Sequence, residues 1–119
     1  MSTPTNTSDP MIEIEQVGES CCTPSTMSDQ EAEHFASLFK AISHPVRVKM
    51  LDIIHQANTE ICVCDIEACF DLTQPTISHH LKILRDAGLI ESEQRGLWVY
   101  HRIRRDTVAS VQQFLEGFR

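Results

Sequence analysis

The sequence has 119 residues, 41% of them hydrophobic and 23% charged, and a formal net charge of −7 at pH 7. This length allows one compact domain with a flexible appendage and excludes a second large domain, and the composition is that of folded, water-soluble proteins. No apolar run reaches the ~18 residues of a membrane helix, and the start of the chain lacks the pattern of a signal peptide. We therefore expect a cytoplasmic protein with no membrane partner.

The charge is distributed unevenly along the chain. Residues 1–33 carry seven acidic residues and no Lys or Arg, whereas residues 34–119 carry ten residues of each sign. Within the second part, residues 74–105 contain six bases and three acids. The overall charge argues against nucleic acid as a partner, but the local excess of bases is compatible with either a DNA-binding surface or an ordinary solvated face.

The beginning of the chain is rich in Ser, Thr and Pro and shows little hydrophobic periodicity. This composition predicts a flexible acidic arm over 1–26, with a short extended piece over 11–17. The arm carries the adjacent pair Cys21 and Cys22. We expect a single folded domain over 27–119.

Capping patterns and apolar spacing predict two helices at the start of this domain. Ser28 and Glu31 have the spacing of a capping box, and the apolar stripe that follows them reaches Ile42. Pro45, which is tolerated in the first turn of a helix, then starts a second helix that ends near Asn58.

Two further helices are predicted after a short loop. The third runs over 63–70, because Cys62 and Asp65 occupy the Ser and Glu positions of a capping box. Thr73 caps the fourth helix, and Gly88 is suited to the left-handed conformation that ends it. The polar outer face of the fourth helix consists of Gln74, Thr76, Ser78, His79, Lys82 and Arg85.

The C-terminal part combines a hairpin with a helix. Extended runs over 89–93 and 97–103 predict a β-hairpin with Arg95 at its basic tip, and Asp106 can cap a last helix. Both terminal helices of the domain carry apolar stripes, which is more apolar surface than one small core needs and favours a dimer. The alternative is that both stripes serve the core.

The third and fourth helices have the arrangement of a helix-turn-helix, in which the second helix enters the major groove of DNA. Gln74 can pair with adenine edges, and Thr76 and Ser78 can contact bases or phosphates. The alternative is a packed helical pair with a hydrophilic exterior. The residues predicted to contact DNA are Gln74, Thr76, Ser78, His79, His80, Lys82, Arg85 and Arg95.

Five cysteines in a reducing compartment indicate metal binding, redox sensing or burial more than structural disulfides. Cys62 and Cys64 lie at the start of the third helix, where their side chains can converge and where the helix N-terminus lowers a thiol pKa. Cys21 and Cys22 can reach one soft ion if a third thiolate comes from elsewhere, and incidental exposed thiols are the alternative. Cys69 is predicted to be a small core residue.

Three segments resemble the ArsR/SmtB family of metal-responsive bacterial repressors: Leu38–Arg47, Thr73–Lys82 and Ala87–Ile90. The resemblance extends from about residue 28 to the C-terminus. It implies a mostly α fold with a β-hairpin wing, that is, a homodimeric winged helix-turn-helix (α+β). The fourth helix would bind double-stranded operator DNA, and the first and last helices would form the dimer interface.

The resemblance also implies a composite metal site. The segment Ile61–Ile66 is similar to the third-helix motif of family members that sense arsenic, antimony, cadmium or lead, and the cysteine pair of the arm resembles the N-terminal arm of arsenic sensors that bind the metalloid between subunits. The third ligand of either subgroup is missing here, since the loop before the third helix has no Cys and Glu67 stands where a Cys is usual. The implied ligands are Cys21 and Cys22 with Cys62, Cys64 or both.

The leading hypothesis is a repressor that trivalent arsenic or antimony releases from its operator. The alternatives are the same architecture with a Cd(II), Pb(II) or Zn(II) site, and a thiol redox-sensing repressor. A zinc-type site on the last helix is disfavoured, because no histidine follows His101. We predict no enzyme activity and no catalytic cofactor, because the sequence has no phosphate-binding loop, no C-x-x-C spacing and no obvious acid–base partner for a thiol.

Overall fold

The computed structural model describes residues 24–118 of the chain. The predicted extended piece over 11–17 and the cysteine pair of the arm lie outside these residues. No helix in the described part is long and apolar enough to cross a membrane. The elements within it are α1 (Asp29–Ile42), α2 (Pro45–Gln56), β1 (Ile61–Cys62), α3 (Val63–Glu67), α4 (Gln74–Asp86), β2 (Ile90–Arg95), β3 (Trp98–Ile103) and α5 (Arg105–Glu116).

The predicted starts of the first two helices are confirmed. The Ser28 hydroxyl accepts a hydrogen bond from Glu31 N at 3.0 Å, and the Glu31 carboxylate accepts one from Ser28 N at 2.9 Å. α2 begins at Pro45 and ends at Gln56, slightly before its predicted end. Asn58 has a φ of 75°, a left-handed conformation through which a helix cannot continue.

The hydrophobic core lies between α1, α2, α3, α4 and the start of the hairpin. α5 contributes no buried residue, although partly buried side chains such as Val111 pack against the core. Because buried side chains of α3 and α4 pack in this core against those of α1 and α2, the helix-turn-helix is fixed on the first two helices. The buried apolar side chains are Leu38, Ala41, Met50, Ile54, Ile66, Ile77, Leu81, Leu84, Leu89 and Ile90.

α4 ends at Asp86, and Gly88 terminates it, as the sequence predicts. Gly88 has a φ of 84°, and the N–H groups of Gly88 and Leu89 donate to the carbonyls of Arg85 at 2.9 Å and Leu84 at 3.0 Å. This pair of bonds is the Schellman arrangement, which satisfies carbonyls that the helix leaves free. It turns the chain from α4 directly into β2.

The sheet has three antiparallel strands in the order β1-β3-β2. The predicted hairpin is confirmed as β2 and β3, with Gly96 at its turn in a left-handed conformation of φ 62°. β1 was not predicted, because a two-residue strand is too short to show an alternating pattern. It pairs Ile61 with His101 and Cys62 with Tyr100. The segment before α3 is therefore part of the same sheet as the wing.

Two predictions for the third helix are wrong. α3 ends at Glu67 rather than at Phe70. Cys69, which the sequence places in the core, is exposed, and its thiol donates to the Asp65 carbonyl at 3.3 Å. Because the helix ends early, Cys69 no longer belongs to the stripe that faces the core.

α5 packs against α1 through aromatic rings. The ring of Phe114 stacks on that of Phe35 with a centroid distance of 4.7 Å. The prediction that Asp106 caps α5 is wrong, since the N-cap is Arg104 and makes no side-chain cap bond. Asp106 lies in the first turn instead, where its carboxylate pairs with Arg104 at 2.8 Å. A negative charge in the first turn is favourable for the helix dipole.

Candidate DNA-binding surface and thiol site

α4 presents a polar face to solvent and an apolar face to the core. Thr73 fixes its first turn, because the Thr73 hydroxyl accepts from Thr76 N at 3.4 Å and lies 2.8 Å from the Thr76 hydroxyl. On the inner face, Ile77 and Leu84 are fully buried. Thr76 on the predicted outer face is half-buried, and the exposed residues of that face are Gln74, Ser78, His79, Lys82 and Arg85.

Besides Thr76, the outer-face side chains Gln74, Lys82 and Arg85 have partners within the protein. Lys82 Nζ pairs with the Asp86 carboxylate at 2.8 Å, and this hydrogen bond lowers the pKa of Asp86. Gln74 donates to Glu67 at the end of α3 at 3.2 Å. An exposed ion pair contributes only ~0–1 kcal/mol. Lys82 can therefore exchange Asp86 for a DNA phosphate at small cost.

His80 differs from the other predicted contacts on α4. Its side chain is only 8% exposed, its ring centroid lies 4.6 Å from that of His44, and Arg47 donates to its Nδ1 at 3.0 Å. Burial and then the neighbouring His44 and Arg47 lower the pKa of His80. The structure therefore does not place His80 on the exposed outer face of α4, contrary to its prediction as a DNA contact. Its ring lies beneath that surface and joins α4 to α2.

The wing holds Arg95 in a network of carboxylates. Arg95 makes a two-point contact with Glu60, at 2.5 and 2.8 Å, and a third bond with Glu93 at 3.0 Å. Its guanidinium lies 4.7 Å from the centroid of the Tyr100 ring. The bonds to Arg95 lower the pKa values of Glu60 and Glu93. Glu60 was not singled out from the sequence, because its partner is 35 residues away.

Two apolar side chains at the tip of the wing were also not singled out from the sequence. Leu97 is 91% exposed and Trp98 is 52% exposed. Both follow Gly96, where the hairpin turns. The sequence does carry a sign of this apolar tip, because two large apolar residues directly follow the turn glycine.

Cys62 and Cys64 form a close thiol pair at the start of α3. Cys62 is the N-cap, and its sulfur accepts from Cys64 N at 3.4 Å. The Cys64 thiol donates to the same sulfur at 2.7 Å. Two sulfurs that each bind one ion at ~2.3 Å lie within ~4.6 Å of each other. The backbone at the start of α3 therefore already holds these two sulfurs close enough to share one ion.

The pKa of the Cys64 thiol differs from the sequence-based expectation. The hydrogen bond that Cys64 donates to Cys62 raises the pKa of Cys64, whereas the helix N-terminus alone was expected to lower it. Thiolate is the form that binds metal, so an incoming ion has to displace this proton. Ion binding at the pair is therefore expected to strengthen as the pH rises.

The structure brings together two of the four predicted metal ligands. Cys62 is buried and Cys64 is exposed at the surface. The other two, Cys21 and Cys22, lie outside the described residues. Within residues 24–118, no group of three or more Cys, His, Asp or Glu side chains could hold a metal ion.

The fold and the exposed face of α4 define the class of the protein. α3 and α4 form a helix-turn-helix, and the hairpin of β2 and β3 follows it as a wing. An exposed, partly basic helix face of this kind fits the major groove. The described part of the chain is a winged helix-turn-helix DNA-binding domain.

A family model for the arsR family of bacterial regulatory proteins matches residues 44–92. The chain is 34% identical over 87 residues to an HTH-type transcriptional regulator of Methanocaldococcus jannaschii, which covers 73% of this chain and 97% of the relative. It is 30% identical over 102 residues to the transcriptional repressor SmtB homolog of Synechocystis sp., with coverage of 86% and 74%. The chain therefore belongs to the ArsR family and is a transcriptional regulator.

Another relative is the arsenic resistance transcriptional regulator ArsR1 of Pseudomonas putida, 35% identical over 80 residues, with coverage of 67% of this chain and 62% of the relative. Among solved structures, a homodimeric winged helix-turn-helix DNA-binding domain from Mycobacterium bovis has a TM-score of 0.61 at 26% identity, covering 80% of this chain and 89% of its own. The repressor BigR from Xylella fastidiosa has a TM-score of 0.59 at 27% identity, with coverage of 76% and 90%. These neighbours confirm the predicted fold.

Proposed function

We propose that this regulator represses transcription by binding operator DNA as a homodimer, and that it leaves the DNA when trivalent arsenic or antimony binds its thiols. The observation that carries the proposal is the pair of Cys62 and Cys64 sulfurs, 2.7 Å apart at the junction of β1 and α3. This pair adjoins the wing, because Cys62 is opposite Tyr100 on β3. An ion bound there acts on a segment that belongs to the sheet of the wing.

The DNA-binding part of the proposal rests on the outer face of α4. This face follows α3 in the order and spacing of a helix-turn-helix, and its side chains are exposed and able to hydrogen bond. Polar residues near the start of α4 suit base edges, and bases further along suit phosphates. The proposed contacts are Gln74, Thr76, Ser78, His79, Lys82 and Arg85 on α4 and Arg95 on the wing.

The dimer is supported by exposed apolar surface on the terminal helices. α5 has an apolar stripe but no buried residue, and Phe39, Val108, Leu115 and Phe118 are exposed large apolar side chains. The Mycobacterium bovis domain of the same fold is a homodimer. In a symmetric dimer, the two copies of α4 meet palindromic half-sites about 34–36 Å apart.

The chemistry of the thiols supports a soft ion as the inducer. Sites made only of sulfur select soft ions, which include trivalent arsenic and antimony and also Cd(II), Pb(II) and Zn(II). The relative from Pseudomonas putida is named for arsenic resistance, which favours the metalloid. We assign Cys21 and Cys22 of the arm as the ligands that complete the site with Cys62, Cys64 or both.

The proposal is tested by titrating an operator duplex, selected from a random library, with and without arsenite. Arsenite is expected to weaken operator binding by a typical coupling of ~5–150-fold, and operator must weaken arsenite binding by the same factor. The double variant with Cys62→Ser and Cys64→Ser is expected to abolish the effect. Cys69→Ser removes an exposed thiol from the same region, and this variant is expected to retain the effect of arsenite on operator binding. Equal operator affinity with and without arsenite would refute the proposal.

The same titration separates the alternative inducers. A sensor of Cd(II), Pb(II) or Zn(II) would release the operator with one of these ions at concentrations where arsenite has no effect. A redox-sensing repressor would release it with peroxide in metal-free buffer. Loss of arsenite binding in Cys64→Ser but not in Cys21→Ser would contradict the role assigned to the arm.

A further inference from the structure

Glu60 links the segment of the thiol pair to the wing. It directly precedes β1, whose second residue is Cys62. Its carboxylate accepts from Arg95 Nη1 at 2.5 Å and from Arg95 Nη2 at 2.8 Å, and it lies 3.9 Å from Nη1 of Arg102. A bidentate contact of this kind fixes the orientation of the guanidinium as well as its distance.

The same segment reaches Arg95 by a second route. Cys62 pairs with Tyr100 in the ladder of β1 and β3, and the Tyr100 ring lies 4.7 Å from the Arg95 guanidinium. Arg95 is therefore held by Glu60 on one side and by the strand partner of Cys62 on another. A displacement of Cys62 by a bound ion must move Glu60 or break the ladder.

The contact between Glu60 and Arg95 contributes little to folding stability. The two side chains are 29% and 43% exposed, respectively, and ion pairs at this level of exposure add little to stability. The effect of the contact is to hold one arginine of the wing in a single orientation. The carboxylates of Glu60 and Glu93 use three of the five N–H donors of Arg95. The remaining donors keep a fixed direction, in which one of them can meet a DNA phosphate.

We propose that Glu60 is a positioning residue that couples the thiol pair to the wing. In the free protein it orients Arg95 towards a DNA phosphate. An ion ~2.3 Å from each sulfur at a tetrahedral angle holds the sulfurs of Cys62 and Cys64 ~3.8 Å apart, which is wider than the 2.7 Å of the free pair. This widening displaces β1, which separates Glu60 from Arg95 and lowers the affinity for DNA. The inference rests on the proposed function and deepens it, because it names the route by which the thiol pair controls DNA binding.

The test closes the thiol pair with phenylarsine oxide, a trivalent arsenical that requires two thiols, and follows the fluorescence of Trp98. Trp98 is the single tryptophan of the chain and pairs with Arg95 across the hairpin. In the wild type, closing the pair is expected to shift the Trp98 emission and to weaken operator binding by ~5–150-fold. Peptide mapping by mass spectrometry confirms that Cys62 and Cys64 of each variant carry the arsenical, and circular dichroism confirms that each variant is folded.

In Glu60→Gln, the thiol pair still closes, but the Trp98 emission is expected to stay constant. The arsenical is expected to change the operator affinity of this variant by about twofold at most, far below a typical coupling. Arg95→Lys, which cannot make the two-point contact, is expected to lose the Trp98 response in the same way.

Glu91→Gln is the matched control. Like Glu60→Gln, it removes one negative charge that pairs with an arginine of the wing. Glu91 lies on β2, outside the thiol segment, and its carboxylate is 3.2 Å from Arg102. This variant is expected to respond as the wild type does. Glu60→Gln with a wild-type Trp98 shift and affinity ratio would overturn the proposal, since the ladder alone would then transmit the effect. A wild-type protein with no Trp98 shift would also overturn it.

The two proposals fail in different ways. If arsenite leaves operator binding unchanged while phenylarsine oxide still acts through Glu60, the assignment of the inducer is wrong and the coupling stands. If arsenite releases the operator equally well in the wild type and in Glu60→Gln, the proposed function stands and the coupling through Glu60 is wrong.

Discussion

Arg47 on α2 donates a hydrogen bond from Nη1 to Nδ1 of His80 on α4 at 3.0 Å. A guanidinium has no acceptor, so His80 must offer a lone pair at Nδ1, and the bond favours the neutral imidazole. Arg47 also donates from Nε to the carbonyl of Ala41 at 2.5 Å. One side chain thus joins α1, α2 and α4 directly beneath the surface proposed to contact DNA.

This arrangement predicts a loss of stability in mild acid. Burial lowers the pKa of His80, so the unfolded chain binds this proton at a higher pH than the folded protein does. The contribution of His80 to stability is therefore present above the unfolded pKa of about 6.5, falls as the pH drops below that value, and falls no further below the folded pKa. The free energy of unfolding in urea is expected to be smaller at pH 5.5 than at pH 7.5.

His80→Gln is expected to reduce this pH dependence, because Gln keeps an acceptor for Arg47 but does not titrate. His101, whose pKa burial also lowers, supplies a further part of it. Identical pH profiles for His80→Gln and the wild type would show that the buried ring does not control stability in acid.

The helices and the wing could be predicted because each depends on a local pattern. The capping box at Ser28, the proline that starts α2 and the left-handed Gly88 are all visible within a few residues of sequence. His79 and His80 show the limit of such patterns. They are adjacent on one helix, and the packing of α4 against Arg47, 33 residues away from His80, decides that His80 is the one that is buried.

The thiol pair was predictable for the same local reason, since Cys62 and Cys64 are separated by one residue at a helix start. The contacts around the pair were not. β1 is two residues long, and the bond between Glu60 and Arg95 spans 35 residues. The roles of Cys21 and Cys22 remain predictions, because they lie outside the described residues.

Replacement of Lys82 tests the phosphate-contacting part of α4. Lys82→Gln is expected to weaken binding to all DNA sequences by similar factors and to reduce the slope of log affinity against log salt by ~0.9, the value for one phosphate contact. The affinity is measured by fluorescence anisotropy between about 50 and 200 mM salt. An unchanged slope would remove Lys82 from the set of proposed contacts.

Gln74 is expected to behave differently, because it is assigned to a base edge. Gln74→Ala should reduce discrimination at one base position by ~1–3 kcal/mol and leave the salt slope unchanged. Competition between the operator and single-base variants of it measures this effect. A uniform loss of affinity over all variants would instead indicate that Gln74 positions α4 through its bond to Glu67.

The dimer interface is tested at Phe118, which is 73% exposed in the single chain. In a monomer, Phe118→Asp would have little effect, whereas at an apolar interface the buried charge is expected to separate the subunits. Sedimentation velocity is expected to show a monomer for this variant and a dimer for the wild type. Leu97→Asp places the same charge at the tip of the wing and is expected to remain a dimer. Dimers of equal stability for Phe118→Asp and the wild type would exclude this face.

Deletion of residues 1–26 removes both the negative charge and the thiols of the arm. This segment has no Lys or Arg, and its acidic residues are Asp9, Glu13, Glu15 and Glu19. The deletion variant should bind operator as tightly as the full chain at 0.15 M salt. It should bind slightly more tightly at 0.01 M, because the screening length grows from about 8 Å to about 30 Å and the repulsion between acidic arm and DNA is then felt.

The same deletion is expected to weaken the response to arsenite, because it removes Cys21 and Cys22. A double variant with Cys21→Ser and Cys22→Ser retains the charge of the arm, so it should lose the arsenite response and keep the low-salt affinity of the full chain. A full arsenite response after deletion would assign the whole site to Cys62 and Cys64. Loss of operator binding after deletion would mean that the arm itself contributes to the DNA complex.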